Sequence, residues 1–392
     1  MTTKSKISAY KSFPIFLAFL CMGFGDVVGP LVGLAKDTFN LSNTMAQLLP
    51  FMGFIMFGLL SVPMGIFQDK KGKKFALMMG MIIALIGLVL PLLGGMTSYG
   101  LLLLTVLLLG AGATTLQVAG NPIMRDVSPE GKYSRNLSLA QFVKAIGSLS
   151  GSLIPFFAAR YWGLDWTILF PIYSSILLIV IIVVGFLKID EKKQENVQVV
   201  NFTSCLSLLK NKYVLSMVLT IFVYVGAEVS MSSGVPIFLE DQFGIDIKTL
   251  GVLGSGFFFL AILIGRFLGS IILNWISAKR FFLLTSVISL IGFIGLFTGN
   301  QIIAISSIFL IGLGFANIFP LVFSITVDNM PERTNELSGL MVMAIFGGAI
   351  VPFLMGIMAD NSSVLLGFLI PILCLVYIFF IAIKSLKAKK AM

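Results

Sequence analysis

Four ionisable side chains stand within long apolar stretches of this sequence: Asp26, Lys144, Glu228 and Arg266. A charge at membrane depth costs about 3 kcal/mol or more, so such residues usually pair with one another or act on an ion or solute. The sequence therefore predicts Asp26 as the main proton-coupling group and Glu228 as a second. A purely structural salt bridge is the alternative for Asp26, and gating or a structural pair is the alternative for Glu228. We expect Arg266 to bond helix ends or a carboxylate near the cytoplasmic side; a direct role in substrate binding is the alternative.

Lys144 shares one helix face with Gln141, three residues before it, and Ser148, four residues after it. A lysine at mid-helix cannot easily reach either membrane surface. Two interpretations stay open: a structural ion pair with Asp26 or Glu228, and a substrate-binding role together with Gln141. Our hypothesis joins the two interpretations: Lys144 is paired while Asp26 is ionised, and protonation of Asp26 frees Lys144 to bind an acidic sugar.

Three amide side chains complete the predicted substrate-binding set. Gln117 and Asn121 lie four residues apart on one face of the fourth apolar segment, and Asn317 is the counterpart of Asn121 in the second half. Amides both donate and accept hydrogen bonds, which suits the hydroxyl groups of a sugar. Hydrogen bonding between helices is the alternative for all three.

Several kinds of chemistry are excluded by what the chain lacks. It has no histidine and only three scattered cysteines, Cys21, Cys205 and Cys374, so neither a histidine-based catalytic triad nor a thiolate metal cluster can be assembled. We expect no enzymatic activity, no cofactor and no metal. The basic residues are dispersed over short loops, which argues against nucleic-acid binding.

The elements that must position these residues follow from the composition. Of the 392 residues, 58% are hydrophobic and only 11% are charged, whereas soluble domains carry roughly a quarter charged residues. A membrane-spanning helix needs about 20 mostly apolar residues. Twelve such runs are present, near 13–35, 44–67, 75–95, 98–124, 136–158, 164–187, 213–239, 249–275, 281–299, 302–327, 337–358 and 364–383. The sequence predicts an all-α, polytopic membrane protein.

The distribution of basic residues predicts the orientation. Most of the 27 Lys and Arg residues lie in connections on the same side as the two termini. The connections on the other side hold only Lys36, Arg160 and Lys248. Because Lys and Arg favour the cytoplasmic side, we expect both termini in the cytoplasm and the protein in the plasma (inner) membrane. The first apolar run carries Asp26 and has no clear cleavage site, so we expect it to be a retained helix.

An internal repeat predicts two bundles. A polar interval separates an N-terminal six-helix bundle, residues 1–188, from a C-terminal one, residues 212–392, with a cytoplasmic linker over 189–211. Segment 119–122 followed by 136–138 has a counterpart in 316–320 followed by 335–338. Duplicated bundles with matching broken helices let one half rock against the other around a central site.

The connection between the second and third helices carries the most specific motif. In it Gly65 precedes Asp69 by four residues, and Lys70, Gly72 and Lys73 follow. We expect Gly65 to allow close helix approach, Asp69 to bond a neighbouring helix end and the lysines to hold the loop at the membrane surface. This segment resembles the signature of the major facilitator superfamily, which implies two pseudo-symmetric six-helix bundles. An ordinary basic loop is the alternative.

Within that superfamily the chain resembles the fucose permease family of bacterial sugar:proton symporters. The matching segments are 26–30, 120–122, 136–141, 224–230, 265–267, 317–320, 338–340 and 347–352. The resemblance implies a monomer that imports a neutral or acidic sugar with a proton by alternating access. Two positions depart from the pattern: Gln117 stands where the family has an acidic residue, and Lys144 stands where it has an asparagine.

Other functions stay open at this point. A sodium-coupled carrier would use oxygen atoms of Asp26 and Gln117 as ligands. A proton-driven exporter of metabolites or drugs would share the fold and differ in the direction of flux.

Overall fold

The computed structural model describes residues 9–96, 98–127, 133–187, 206–330 and 333–387. Within these ranges, twelve helices are long and apolar enough to cross a membrane, which confirms the prediction. In chain order they are α1 (Ala9–Met22 and Val28–Phe39), α2 (Leu48–Lys71), α3 (Lys73–Gly94), α4 (Tyr99–Asp126), α5 (Tyr133–Trp162), α6 (Leu169–Phe186), α7 (Lys212–Phe243), α8 (Val252–Ile272), α9 (Ala278–Leu296), α10 (Gln301–Phe315 and Ile318–Asn329), α11 (Thr334–Met343 and Gly347–Asn361) and α12 (Leu369–Lys387). Most of the predicted linker, 189–211, lies outside the described residues.

Three of the twelve helices are interrupted. The 3-10 turn Gly23–Gly25 divides α1, and a similar turn, Ala344–Phe346, divides α11. In α10 the interruption falls at Ala316 and Asn317, between its two segments. The glycines of the first break favour the interruption, because a glycine inside a helix costs roughly 1 kcal/mol relative to alanine. Each break frees backbone groups that side chains can then bond.

The two halves repeat the same packing. In the first half α3 packs on α4 and α6, and α1 packs on α5; in the second half α9 packs on α10 and α12, and α7 packs on α11. Between the halves α1 meets α7, α2 meets α11 and α5 meets α8. Adding six to each helix number converts the first set of contacts into the second. Exchanging the halves, so that α2 corresponds to α8 and α11 to α5, converts the α2–α11 contact into the α5–α8 contact. The predicted pair of pseudo-symmetric six-helix bundles is therefore confirmed.

The halves are joined by polar contacts at one end. We call the end that holds the α1–α2, α7–α8 and α11–α12 connections the distal end, and the opposite end, near both termini, the terminal end. At the distal end the Asp37 carboxylate of α1 lies 2.8 Å from the Lys248 ammonium, in the π turn Ile247–Gly251 before α8. The Asp360 carboxylate of α11 accepts hydrogen bonds from the backbone N–H groups of Asn43 (2.8 Å) and Thr44 (2.7 Å), just before α2.

Small residues bring the halves close together in the distal part. Gly29 of α1 packs directly on Ser232 of α7, and Gly256 of α8 packs on Ser152 of α5. A β-carbon at Gly256 would lie only 2.9 Å from the Ser152 β-carbon. Small residues of this kind let helix backbones approach each other inside a membrane. The halves are therefore closed against each other toward the distal end.

Candidate functional site

The break in α1 is seated on α5 and α6. A β-carbon at Gly23 would overlap the backbone of α5, at 2.8 Å from the Ser148 nitrogen and 2.9 Å from the Gly147 α-carbon. The Phe24 ring stacks on the Tyr173 ring of α6, with 3.9 Å between centroids and 8° between planes. The Tyr173 hydroxyl in turn lies 2.8 Å from the Ser150 hydroxyl. This seat fixes the direction in which the next residues of α1 leave the break.

Asp26 follows the break directly and faces α5. Its Oδ2 atom lies 3.1 Å from the Lys144 ammonium and accepts a hydrogen bond of 2.7 Å from the Ser148 hydroxyl. The exposed fractions of the two charged side chains are 27% for Asp26 and 15% for Lys144. Of the two partners considered for Lys144 from the sequence, the structure selects Asp26. Removing one member of such a buried pair costs about 3–5 kcal/mol, because the other charge stays without compensation.

A small cavity adjoins this ion pair. The volume open to the centre of a water molecule is about 10 Å³, close to the room that one water molecule needs. The described residues that line it come from α1, α2, α4 and α5: Met22, Gly25, Asp26, Gly53, Phe54, Phe57, Gly110, Ala113, Gln117 and Lys144. The cavity thus has the polar groups of a small-solute site and must widen to accept a solute.

A second ion pair lies in the C-terminal half. Glu228 Oε1 of α7 is 3.9 Å from Arg266 Nη2 of α8, and the exposed fractions of the side chains are 19% and 25%. The break in α10 supplies further partners, because the Ala316 carbonyl accepts from Arg266 Nε at 3.4 Å and the Phe315 carbonyl accepts from the Tyr224 hydroxyl at 3.0 Å. Arg266 thus contacts both a carboxylate and a helix end.

The four amides predicted to bind substrate separate into two groups. Gln117 is buried and lines the cavity. Asn317 is also buried, but its Nδ2 atom donates to the Gly265 carbonyl at 2.7 Å and so joins α10 to α8. Asn121 and Gln141 are not among the described residues that line the cavity. In this state Gln117 alone of the four is placed to meet a solute there.

The predicted motif between α2 and α3 is only partly described. A β-carbon at Gly65 would meet no atom of the described residues within 4 Å, so the described part of the chain shows no close helix approach there. The Asp69 side chain lies outside the described part. Gly72 has a φ of 97°, which favours glycine and allows the sharp turn between the helices. Lys70 is exposed, and Lys73 is the first residue of α3.

Sequence reasoning missed the apolar side of the site and the bonds around it. Phe54 and Phe57 line the cavity, and their spacing of three residues on one helix face was an available signal. The hydroxyl of Ser148 was placed on the correct face, but its bond to Asp26 depends on how α1 packs against α5. Tyr224 bonds a carbonyl 91 residues away, which no local pattern indicates. Among the described residues, no group of three or more Cys, Asp and Glu side chains is arranged to hold a metal.

Comparisons with known proteins agree with this architecture. The glucose/galactose transporter of Brucella abortus is 28% identical over 402 residues, covering 99% of this chain and 97% of the relative. The L-fucose-proton symporter of Escherichia coli is 24% identical over 412 residues, covering 95% and 93%. The crystal structure of the E. coli fucose:proton symporter superimposes with a TM-score of 0.70 at 20% identity, covering 96% of this chain and 98% of the other.

The sequence profile of the Major Facilitator Superfamily matches residues 15–352, which is most of the chain. The match includes the interruptions of α1, α10 and α11 and both internal ion pairs. The chain is thus a multi-pass membrane protein that belongs to the major facilitator superfamily.

Proposed function

We propose that this protein imports a neutral sugar together with a proton by alternating access. The observation that carries the proposal is the Asp26–Lys144 ion pair at the wall of a cavity that also holds Gln117. The relatives of this chain support the same function, since one is a glucose/galactose transporter and another a fucose-proton symporter. A transporter of this kind needs neither a cofactor nor catalytic residues.

The charges around the cavity favour a neutral sugar over an acidic one. Asp26 compensates Lys144, and Glu228 compensates Arg266, so each cation of the two pairs already faces a carboxylate. An acidic sugar would bring an extra negative charge into this balanced set, and burying an unpaired charge costs several kcal/mol or more. A neutral solute adds no charge. While Asp26 is ionised, the acidic sugar expected from Lys144 alone is therefore the less favourable substrate, and the relatives named for glucose, galactose and fucose, all neutral sugars, support the same choice for the protonated site.

Proton binding at Asp26 provides the coupling step. The proton attaches to a carboxylate oxygen, Asp26 becomes neutral and its ion pair with Lys144 is lost. The Lys144 ammonium then has donors for the hydroxyl groups of the solute, beside the amide of Gln117. The rings of Phe54 and Phe57 offer apolar faces to the sugar ring. Because proton and solute favour the same rearranged site, each raises the affinity for the other.

The orientation and domain boundaries belong to the same proposal. With both termini in the cytoplasm, the distal end faces outside and the described state is closed to the outside. The bundles comprise residues 1–188 and 212–392, joined by a cytoplasmic linker over 189–211, and one chain forms the working unit in the plasma membrane. The motif around Gly65 and Asp69 then lies at the cytoplasmic surface.

Uptake by purified protein in liposomes tests this function. We expect a pH gradient, acidic outside, to drive accumulation of radiolabelled neutral hexoses, and we expect carboxylated sugars to be transported at least tenfold more slowly. Asp26→Asn should abolish the stimulation by the pH gradient. Accumulation that requires a sodium gradient at fixed pH, preferential uptake of carboxylated sugars, or gradient-driven export would each overturn the proposal.

A further inference from the structure

We propose that Ser148 is a positioning residue of the proton site, and that its hydroxyl sets the pH range in which transport operates. The inference rests on the proposed function, because it concerns proton binding at Asp26. Ser148 holds the ionised carboxylate in place beside Lys144 and is not among the described residues that line the cavity. Its own position follows from the seat of the α1 break on α5.

The geometry gives Ser148 two alternative acceptors. Its hydroxyl lies 2.7 Å from Asp26 Oδ2 and 3.2 Å from the Lys144 backbone carbonyl. A serine hydroxyl has one proton to donate, so it bonds strongly to one acceptor at a time. The ionised carboxylate is the better acceptor, since hydrogen bonds to charged groups are about twice as strong as neutral ones. When Asp26 takes up a proton, the hydroxyl turns to the Lys144 carbonyl on its own helix.

Asp26 Oδ2 therefore has two stabilising partners on one turn of α5. Lys144 supplies the charge and Ser148 supplies a neutral donor to the same oxygen atom. Ser148 is 2% exposed, so no bulk water replaces its hydrogen bond. Hydrogen bonds to the charged form of a carboxyl group favour that form. Both partners thus stabilise the ionised carboxylate, and Ser148 does so without adding charge to the site.

Among the described residues, the other groups around Asp26 lie on α2, α4, α6, α7 and α8. From α4 the neutral amide of Gln117 lines the same cavity, and α2 contributes Gly53 and two phenylalanines without ionisable groups. From α6 the Tyr173 hydroxyl is occupied by Ser150. From α7 and α8 the Glu228–Arg266 pair adds one charge of each sign. Lys144 and Ser148 are accordingly the partners that act on Asp26 directly.

The test is the pH profile of sugar uptake by Ser148→Ala. Loss of the donor removes part of what holds Asp26 ionised, so the pH of half-maximal uptake should rise by about one unit. Solute counterflow, which needs no net proton movement, should keep its wild-type amplitude. Ser286→Ala is the matched control: Ser286 is a buried serine of α9 that donates to the carbonyl of Phe282, four residues earlier, and its pH profile should stay unchanged.

The outcomes separate this inference from the proposed function. A wild-type protein whose uptake ignores pH would overturn both proposals. A pH-dependent wild type with an identical profile in Ser148→Ala would overturn only the role of Ser148. If the variant does not transport, hexose binding to the purified protein is measured instead, by tryptophan fluorescence over a range of pH. A pH midpoint of binding equal to that of the wild type would then overturn the inference.

Discussion

Lys144 and Asp26 compensate each other's charge inside an apolar bundle. The ammonium has lost most of its contact with water, and the carboxylate 3.1 Å away replaces part of that solvation. The stability of the protein and its proton chemistry therefore share one contact. A substitution at either residue changes both, and the two effects can be separated by changing the residues together.

Lys144→Gln should destabilise the protein more than the double variant Lys144→Gln/Asp26→Asn at pH 8. The single variant leaves an unpaired carboxylate, at a cost of about 3 kcal/mol in the free energy of unfolding, whereas the double variant carries two neutral amides. Thermal unfolding in detergent measures the difference. Equal stability of the single and double variants at pH 8 would contradict a functional ion pair.

At the scale of helices, the α1 break determines where Asp26 points. The turn Gly23–Gly25 can lie on α5 only because neither Gly23 nor Gly147 carries a side chain at the contact. Phe24 then completes the seat by stacking on Tyr173 of α6. The broken helix is thus held by close packing on one side and by ring stacking on the other.

Gly23→Ala should displace this break and uncouple transport from the pH gradient. Its β-carbon would overlap backbone atoms, which cannot turn aside as a side chain can, and overpacking of this kind costs about 1–3 kcal/mol. We expect a lower unfolding temperature together with loss of pH-stimulated uptake. Gly100→Ala is the control, since a β-carbon there would meet no described atom within 4 Å. Full pH stimulation in Gly23→Ala would show that the seat does not position Asp26.

The helices themselves could be predicted from the sequence, whereas their contacts could not. Twelve apolar runs of sufficient length are a local property, and the structure confirms all of them. From the sequence, the ion-pair partner of Lys144 could be limited to two carboxylates, because a charge at membrane depth needs a compensating charge. Choosing between them required the α1–α5 packing. Asn317 shows the same limit, since the Gly265 carbonyl that its amide bonds becomes a neighbour only when α8 and α10 pack together.

At the scale of the whole molecule, two polar links close the distal end. Asp37 and Lys248 form a largely exposed ion pair, and Asp360 bonds two backbone N–H groups before α2. Both links join opposite halves, so both must break before a solute can enter from that end. The pKa of Lys248 is raised by its hydrogen bond to Asp37. Its contribution is therefore complete below the ordinary lysine pKa, is lost only above the raised value, and is fully present at neutral pH.

Reversing one charge of the exposed Asp37–Lys248 pair should open the distal end, and exchanging the two residues should close it again. Asp37→Lys places two cations together, whereas Asp37→Lys/Lys248→Asp restores attraction. An exposed pair contributes about 0.2–1 kcal/mol, which corresponds to a change of up to about fivefold in the ratio of open to closed molecules. Asp360→Ala, which removes two charge-assisted hydrogen bonds, should shift the ratio further in the same direction.

Distances between spin labels measure these populations. Leu164, before α6, and Gln301, at the start of α10, are exposed distal positions in opposite halves and suit labelling once Cys21, Cys205 and Cys374 have been replaced. We expect the long-distance population to grow in Asp37→Lys and in Asp360→Ala, and to return to the wild-type level in the swapped variant. In the wild type, 1 M salt should raise the same population, because screening weakens exposed ion pairs. A swapped variant as open as Asp37→Lys would mean that packing between the halves, rather than the charge link, keeps this end closed.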